Sequence, residues 1–192
     1  MIDIYEEGLM MRLKYKNRHR LSRVDTETMK KRLETVFQIP IVVLGSDKSV
    51  DIAKLKEHTF SEVIFADGEI VACTMGQEAF LTLHGLIACD YTRAKRYVTV
   101  DKGAVSFICN GADVMAPGIV DADKNIKVGE LVWVRDETHL KPLAIGQALI
   151  PGTQMGVHGS RGKAVKTLHY IGDDFWNLSS KQWRSQHYDY AP

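Results

Sequence analysis

Asp121, Asp123 and Asn125, in the segment DADKNIKVGE, set oxygen donors at alternate positions, which is how a calcium loop begins. Such a loop then requires a glycine, where Ile126 stands, and a bidentate glutamate six residues further on, where Val132 stands. Glu130 is out of place for that role, so the acids predict a polar turn between strands, and no metal is expected. QMGVHGSRGKAV approaches a phosphate loop of the form G-x-x-x-x-G-K-[ST]. It has Val157 where the first glycine belongs and Ala164 where the magnesium-binding hydroxyl belongs, which argues against a nucleotide hydrolase. A glycine-rich loop carrying Arg161 and Lys163 is nevertheless suited to touching phosphate oxygens.

Other catalytic signatures are missing from the sequence. It contains no G-x-S-x-G nucleophile elbow and no H-E-x-x-H zinc helix. His19, His58, His84, His139, His158, His169 and His187 are scattered, and His169, in the apolar segment LHYI, reads as a hydrogen-bonded structural residue. Cys73, Cys89 and Cys109 form no C-x-x-C pair and read as small buried apolar residues of a reducing compartment. No catalytic residue and no cofactor is expected.

Charge is local. The formal net charge is +1 and the isoelectric point about 7.7, whereas a strongly basic nucleic-acid binder has a domain value above about 9. The cations nonetheless cluster. Arg12, Lys14, Lys16, Arg18, Arg20 and Arg23 form one group, Arg93, Lys95, Arg96 and Lys102 a second, and Arg161, Lys163 and Lys166 a third. Each cluster by itself reads first as a solvated face. No apolar run approaches the roughly 18 residues of a membrane helix, and MIDIYEEGLMMRLKYK does not read as a signal peptide.

The elements that must position these residues follow from periodicity. Leu21, Val24, Met29, Leu33 and Val36 repeat with helical spacing, with Asp25 or Thr26 as cap and Pro40 beyond the end. PIVVLG predicts a buried strand, and SEVIFADGEIVACTM a hairpin turning at Asp67-Gly68. EAFLTLHGLI predicts a helix ending near Ala88. From Lys95 onward short strands alternate with glycines: RYVTVD, a short helix in KGAVSFICNG ending at Gly111, then DVMAPGIVDAD, ELVWVRD, KPLAIGQALI and KAVKTLHYI. That pattern predicts a small barrel or sandwich. In ELVWVRD either face, Leu131/Trp133/Arg135 or Val132/Val134/Asp136, can be the core side. NLSSKQWRSQHYDYAP, with Trp183, Tyr188 and Tyr190, reads as a polar tail.

Residues 95–176 resemble the PUA domain, through the strand ending in Asp101, the short helix, Gly111-Ala112, Met115, Pro117-Gly118-Ile119, Gly129-Glu130, Ala144 and Gly146. The closing GKAVKTLHYIGDDFW is most similar to PUA proteins of the malignant T-cell-amplified-sequence and ligatin-type translation factor family. The first part resembles the domain that precedes the barrel in that family, chiefly through the ADGE hairpin. The resemblance implies an α+β protein: an N-terminal mixed α/β pre-PUA domain over 1–94, a C-terminal PUA-type β pseudobarrel with short helices over 95–176, and a tail over 177–192. It implies non-catalytic, cytoplasmic RNA binding in translation. The partners would be tRNA through its 3′ end or ribosomal RNA, with the ribosome or another translation factor beside them and no membrane.

The residues expected to meet RNA are Lys102, Asn110, Gly111, Ala112, Met115, Ala116, Pro117, Gly118, Arg161, Lys163 and Lys166. Small residues at the corner let RNA approach the main chain, and free backbone N–H groups there could bond phosphates. Arg12, Lys14, Lys16, Arg18, Arg20, Arg93, Lys95 and Arg96 form a secondary basic patch. Two alternatives stay open: a relative or RNA-binding subunit of a transglycosylase- or pseudouridine-synthase-type modification enzyme, and a protein-interaction adaptor.

Overall fold

The computed structural model describes residues 15–56 and 59–178. Arg12, Lys14 and the aromatic residues of the polar tail lie outside the described residues.

The chain opens with strand β1 (Tyr15–Arg20) and helix α1 (Arg23–Phe37). Ser22 caps α1, rather than Asp25 or Thr26: its Oγ accepts the Asp25 amide at 3.1 Å and donates to the Asp25 carboxylate at 2.7 Å. Asp25 thus sits in the first helical turn, where an acid offsets the exposed N–H groups. Met29, Leu33 and Phe37 are the buried stripe, while Val24 of the expected face is 75% exposed. The helix ends before Pro40 as the sequence predicts.

The expected strand after Pro40 is a single 3-10 turn, Val42–Leu44, with the Gly45 amide closing on the Val42 carbonyl at 3.1 Å. Ile39, Ile41 and Leu44 are buried there without a ladder partner, so apolar anchoring gives the segment its place. Strands β2 (Val50–Leu55), β3 (Glu62–Ala66), β4 (Glu69–Met75) and β5 (Glu78–Leu81) follow. With β1 they make a five-stranded antiparallel sheet in sequence order. The turn between β3 and β4 is the expected Asp67-Gly68, both with positive φ, 49° and 91°. EAFLTLHGLI is not one helix. Its first four residues pair with β4 as β5, and Thr82 starts helix α2 (Leu83–Ala88) by accepting the Gly85 amide at 3.3 Å. Thr82 is a capping residue type, and the cap separates strand from helix where apolar periodicity alone could not.

The second sheet holds β6 (Tyr97–Val100), β7 (Val114–Met115), β8 (Ile119–Ala122), β9 (Leu131–Asp136), β10 (Pro142–Ala148) and β11 (Lys163–Tyr170), in the order β7-β11-β10-β9-β6-β8. Only β6 and β9 run parallel. Its two outer strands, β7 and β8, are consecutive in the chain and joined by the 3-10 turn Ala116–Gly118, so the sheet nearly closes on itself. Helix α3 (Lys102–Ile108) leads from β6 to β7, and helix α4 (Asp174–Asn177) follows β11. Both faces of β9 are covered: Leu131, Val132, Trp133 and Val134 are all buried. The protein is therefore α+β with a barrel-like second sheet, as the sequence implies.

The two sheets share packing. The Lys95 amide donates to the Phe37 carbonyl at 2.8 Å, and the Trp133 indole N–H donates to the Lys95 carbonyl at 3.0 Å. Phe60 lies edge-on to Phe80 and to Phe175 of α4, each pair with centroids 5.2 Å apart. No helix among the described residues is long and apolar enough to cross a membrane.

Candidate nucleic-acid interface

The expected contact residues come together around α3. Asp101 caps its start, accepting the Ala104 amide at 2.8 Å, and the Lys102 amide donates to the Glu137 carboxylate at 3.0 Å. The Asp101 amide donates to the Gly118 carbonyl at 2.9 Å, which brings the Ala116–Gly118 turn against the helix start. At the other end the Ala112 amide bonds the Phe107 carbonyl and the Gly111 amide the Ile108 carbonyl. That is a Schellman ending with Gly111 left-handed at φ 83°.

This ending changes the expected mode of contact. The amides of Asn110, Gly111 and Ala112 all bond carbonyls of α3, so they are not free to take a phosphate. A Cβ on Gly111 would lie 2.8 Å from the Tyr170 ring, so the close approach that glycine permits here is made by Tyr170. The small residues at 110–112 serve the helix end and the packing of Tyr170. What the corner offers a ligand is therefore exposed side chains and not these amides.

Those side chains are supplied by β11 and the loop before it. Lys163 pairs in register with Met115, and the Ala116 amide donates to the Gly162 carbonyl at 2.8 Å. The glycine-rich loop carrying Arg161 is thereby fixed beside the turn. Lys102, Asn110, Ala112, Pro117, Arg161, Lys163 and Lys166 are exposed, Gly111 and Gly118 are half-buried, and Ala116 is buried. Met115 is 47% exposed.

Two residues escaped the sequence reading. Asp113 accepts the Thr167 amide at 3.0 Å and the Lys163 ammonium at 2.8 Å, bracketing the corner to β11. The Lys163 hydrogen bond, joined by that amide, holds its carboxyl below the ordinary range against the opposing effect of burial. A lone acid between a helix end and a strand carries no sequence signal. Phe107, 68% exposed near the end of α3, offers an unpacked aromatic face next to Ala112. Its place in an apolar helix reads as core, which concealed it.

The secondary basic patch is divided. Arg18 and Arg20 both bind the Asp51 carboxylate, at 2.8 and 2.6 Å, and the Arg18 guanidinium also sits 4.1 Å from the Phe65 ring centroid. The Arg20 hydrogen bond, assisted by Arg18, keeps the Asp51 carboxyl below its usual range although burial opposes it. Lys16 is exposed, and Arg96 pairs with Glu130 at 3.2 Å. Arg93 and Lys95 are exposed in a groove away from the corner.

The resemblance to a calcium loop resolves as a turn. Asp123 accepts the amides of Arg96 and Asn125 and the Asn125 side chain, at 2.9 to 3.0 Å. Among the described residues no cluster of three or more His, Cys, Asp or Glu could hold a metal. His169 is buried, with Nδ1 2.7 Å from the Asp173 carboxylate, in the structural role expected of it.

Against known proteins, the PUA-domain pattern matches residues 96–171. An uncharacterised protein of Methanocaldococcus jannaschii is 41% identical over 86% of this chain and 99% of its own. Translation machinery-associated protein 20 of Saccharomyces cerevisiae is 28% identical over 69% of this chain and 75% of its own. The crystal structure of a hypothetical protein from Pyrococcus horikoshii aligns with a TM-score of 0.73 at 36% identity, over 85% of this chain and all of that one.

Proposed function

This chain belongs to the PUA-domain protein family, and from that premise we propose that it is a non-catalytic RNA-binding protein of translation that holds a single-stranded RNA end at the α3–β7 corner. The PUA match and a relative named for the translation machinery support an RNA-binding, translation-related role. The observation that carries the site is the convergence of exposed Lys102, Arg161, Lys163 and Lys166 on a corner held rigid by the Gly111 helix ending and by the Gly162–Ala116 hydrogen bond. Exposed cations touch phosphate oxygens, and an exposed aromatic such as Phe107 stacks an unpaired base.

The target is the 3′ end of tRNA, with ribosomal RNA as the other member of the substrate class, and the protein works in the cytoplasm beside the ribosome or another translation factor. Residues 95–176 form the RNA-binding unit and 1–94 the domain that supports it. The experiment is an anisotropy titration against intact tRNA, tRNA trimmed of its terminal nucleotides, and a ribosomal RNA fragment. Intact tRNA should bind at least about tenfold tighter than trimmed tRNA, about 1.4 kcal/mol. Equal binding of the two sinks end recognition.

A further inference from the structure

Between the segment that follows α1 and the second sheet lies a groove of about 570 Å³ whose lining shares no residue with the corner; Gln38, Pro40, Arg93, Lys95, Tyr97 and Arg135 are among its walls. That volume is in the range of small-ligand sites, about 300–1,000 Å³.

Like most lysines and arginines of the described residues, the groove's cations lack an ion-pair partner; what sets them apart is that they gather beside an arginine held in place on the Tyr97 ring. Arg18, Arg20, Lys48, Arg96 and Lys163 are each matched to a carboxylate. Arg93, Lys95 and Arg135 enter no ion pair among the described residues. Acids beside the groove are already engaged: Asp90 with the Thr92 hydroxyl, Asp121 with the Tyr97 hydroxyl, and Asp123 with the amides of Arg96 and Asn125, while it also attracts Lys95. Arg135 is held in place, with Nε donating to the Thr99 hydroxyl at 2.8 Å and its guanidinium 3.8 Å from the Tyr97 ring centroid. The Lys95 peptide is fixed on both sides, by the Phe37 carbonyl and the Trp133 indole.

We propose that this groove is a second RNA-contact site, in which Arg93 and Lys95 take a backbone phosphate and Arg135, backed by Tyr97, stacks the attached base. Cations outside any ion pair attract an anion, and a guanidinium already stacked on an aromatic ring extends that stack to a nucleobase. Arg93 and Lys95 are exposed rather than enclosed, which suits a strand that continues past the bound nucleotide. The inference rests on the reading of the protein as RNA-binding, but not on the corner.

The test uses the full chain and a labelled oligouridylate of about ten nucleotides, with uridine monophosphate as competitor and thermal melting as the folding control. Arg93→Gln with Lys95→Gln should weaken the oligonucleotide about tenfold and flatten its salt slope by about 0.7, the value for one phosphate. Arg135→Lys keeps the charge but loses the plane, and should weaken binding about fivefold with the slope unchanged. In the wild-type protein, a photoactivatable thiouridine strand should crosslink within the peptide containing Tyr97. Unchanged binding by the folded groove variants, with binding lost in Gly118→Trp, overturns the groove and leaves the corner standing. No oligonucleotide binding by the wild type overturns both readings. Monophosphate competing as well as the strand makes this a free-nucleotide site and overturns the strand assignment.

Discussion

The indole of Trp176 lies stacked on the imidazole of His84, ring centroids 4.6 Å apart and planes 17° apart. Trp176 belongs to α4, after the barrel-like sheet, and His84 to α2, after the first sheet. Both are buried. The last helix therefore reaches back across the molecule, and Phe175 beside it meets Phe60 of the first half.

Trp176→Ala removes that bridge. It should cost about 3–5 kcal/mol, the range for truncating a buried large aromatic. Urea unfolding followed by circular dichroism reads the loss, and Trp176→Phe should recover part of it. A change below about 1 kcal/mol would show the stack to be incidental.

Stability should depend on pH through Asp173. Burial pushes its carboxyl up, but His169 and the amides of Trp176 and Tyr170 outweigh burial and hold it below the ordinary carboxylate range. A carboxyl depressed in the folded state stabilises fully above its unfolded value, about 4, and loses that contribution as pH falls through the lower folded value. Asp173→Asn should flatten the acid limb and destabilise the protein by about 1–3 kcal/mol at neutral pH. An acid limb of equal steepness in wild type and variant would assign the pH dependence elsewhere.

Gly118→Trp should block the corner without unfolding it. A Cβ at Gly118 would come 3.1 Å from the Ala104 Cβ, a contact that a small shift relieves, and Gly118 is not left-handed. Binding to intact tRNA should fall at least about tenfold, with little further loss on trimmed tRNA. Gly111→Ala behaves differently: positive φ and the Tyr170 ring make it a stability variant, costing at least about 1 kcal/mol and seen as a lower melting temperature.

RNA affinity should fall with salt at a slope of about −2 to −4 in log–log form, from three to six phosphate contacts at about 0.7 each. Because Asp51 binds both Arg18 and Arg20 but offsets only one of their two charges, replacing both by glutamine should weaken all RNAs alike by a small factor, about two- to threefold. Asp51→Asn should raise affinity for all RNAs alike. A large loss in the arginine variant would show that RNA displaces Asp51.

The sequence alone determined the features with short-range causes. The Asp67-Gly68 turn, the helix end at Gly111, the end of α1 before Pro40 and the failure of the calcium and phosphate loops follow from residue types at fixed spacings. The ordered glycines and prolines of 95–176 likewise carried the PUA resemblance. Tertiary structure alone decided the rest. Whether Pro40–Gly45 became a strand depended on a ladder partner, and whether Arg18 and Arg20 were free depended on Asp51, brought opposite by β-pairing. The amides at the corner proved to be occupied because α3 closes on itself there. The groove at Arg93, Lys95 and Arg135 arises from the meeting of distant segments, as does the stack of Trp176 on His84. Local chemistry is written in neighbouring residues, whereas the partner of a charge or an aromatic face is chosen by packing between residues far apart in the chain.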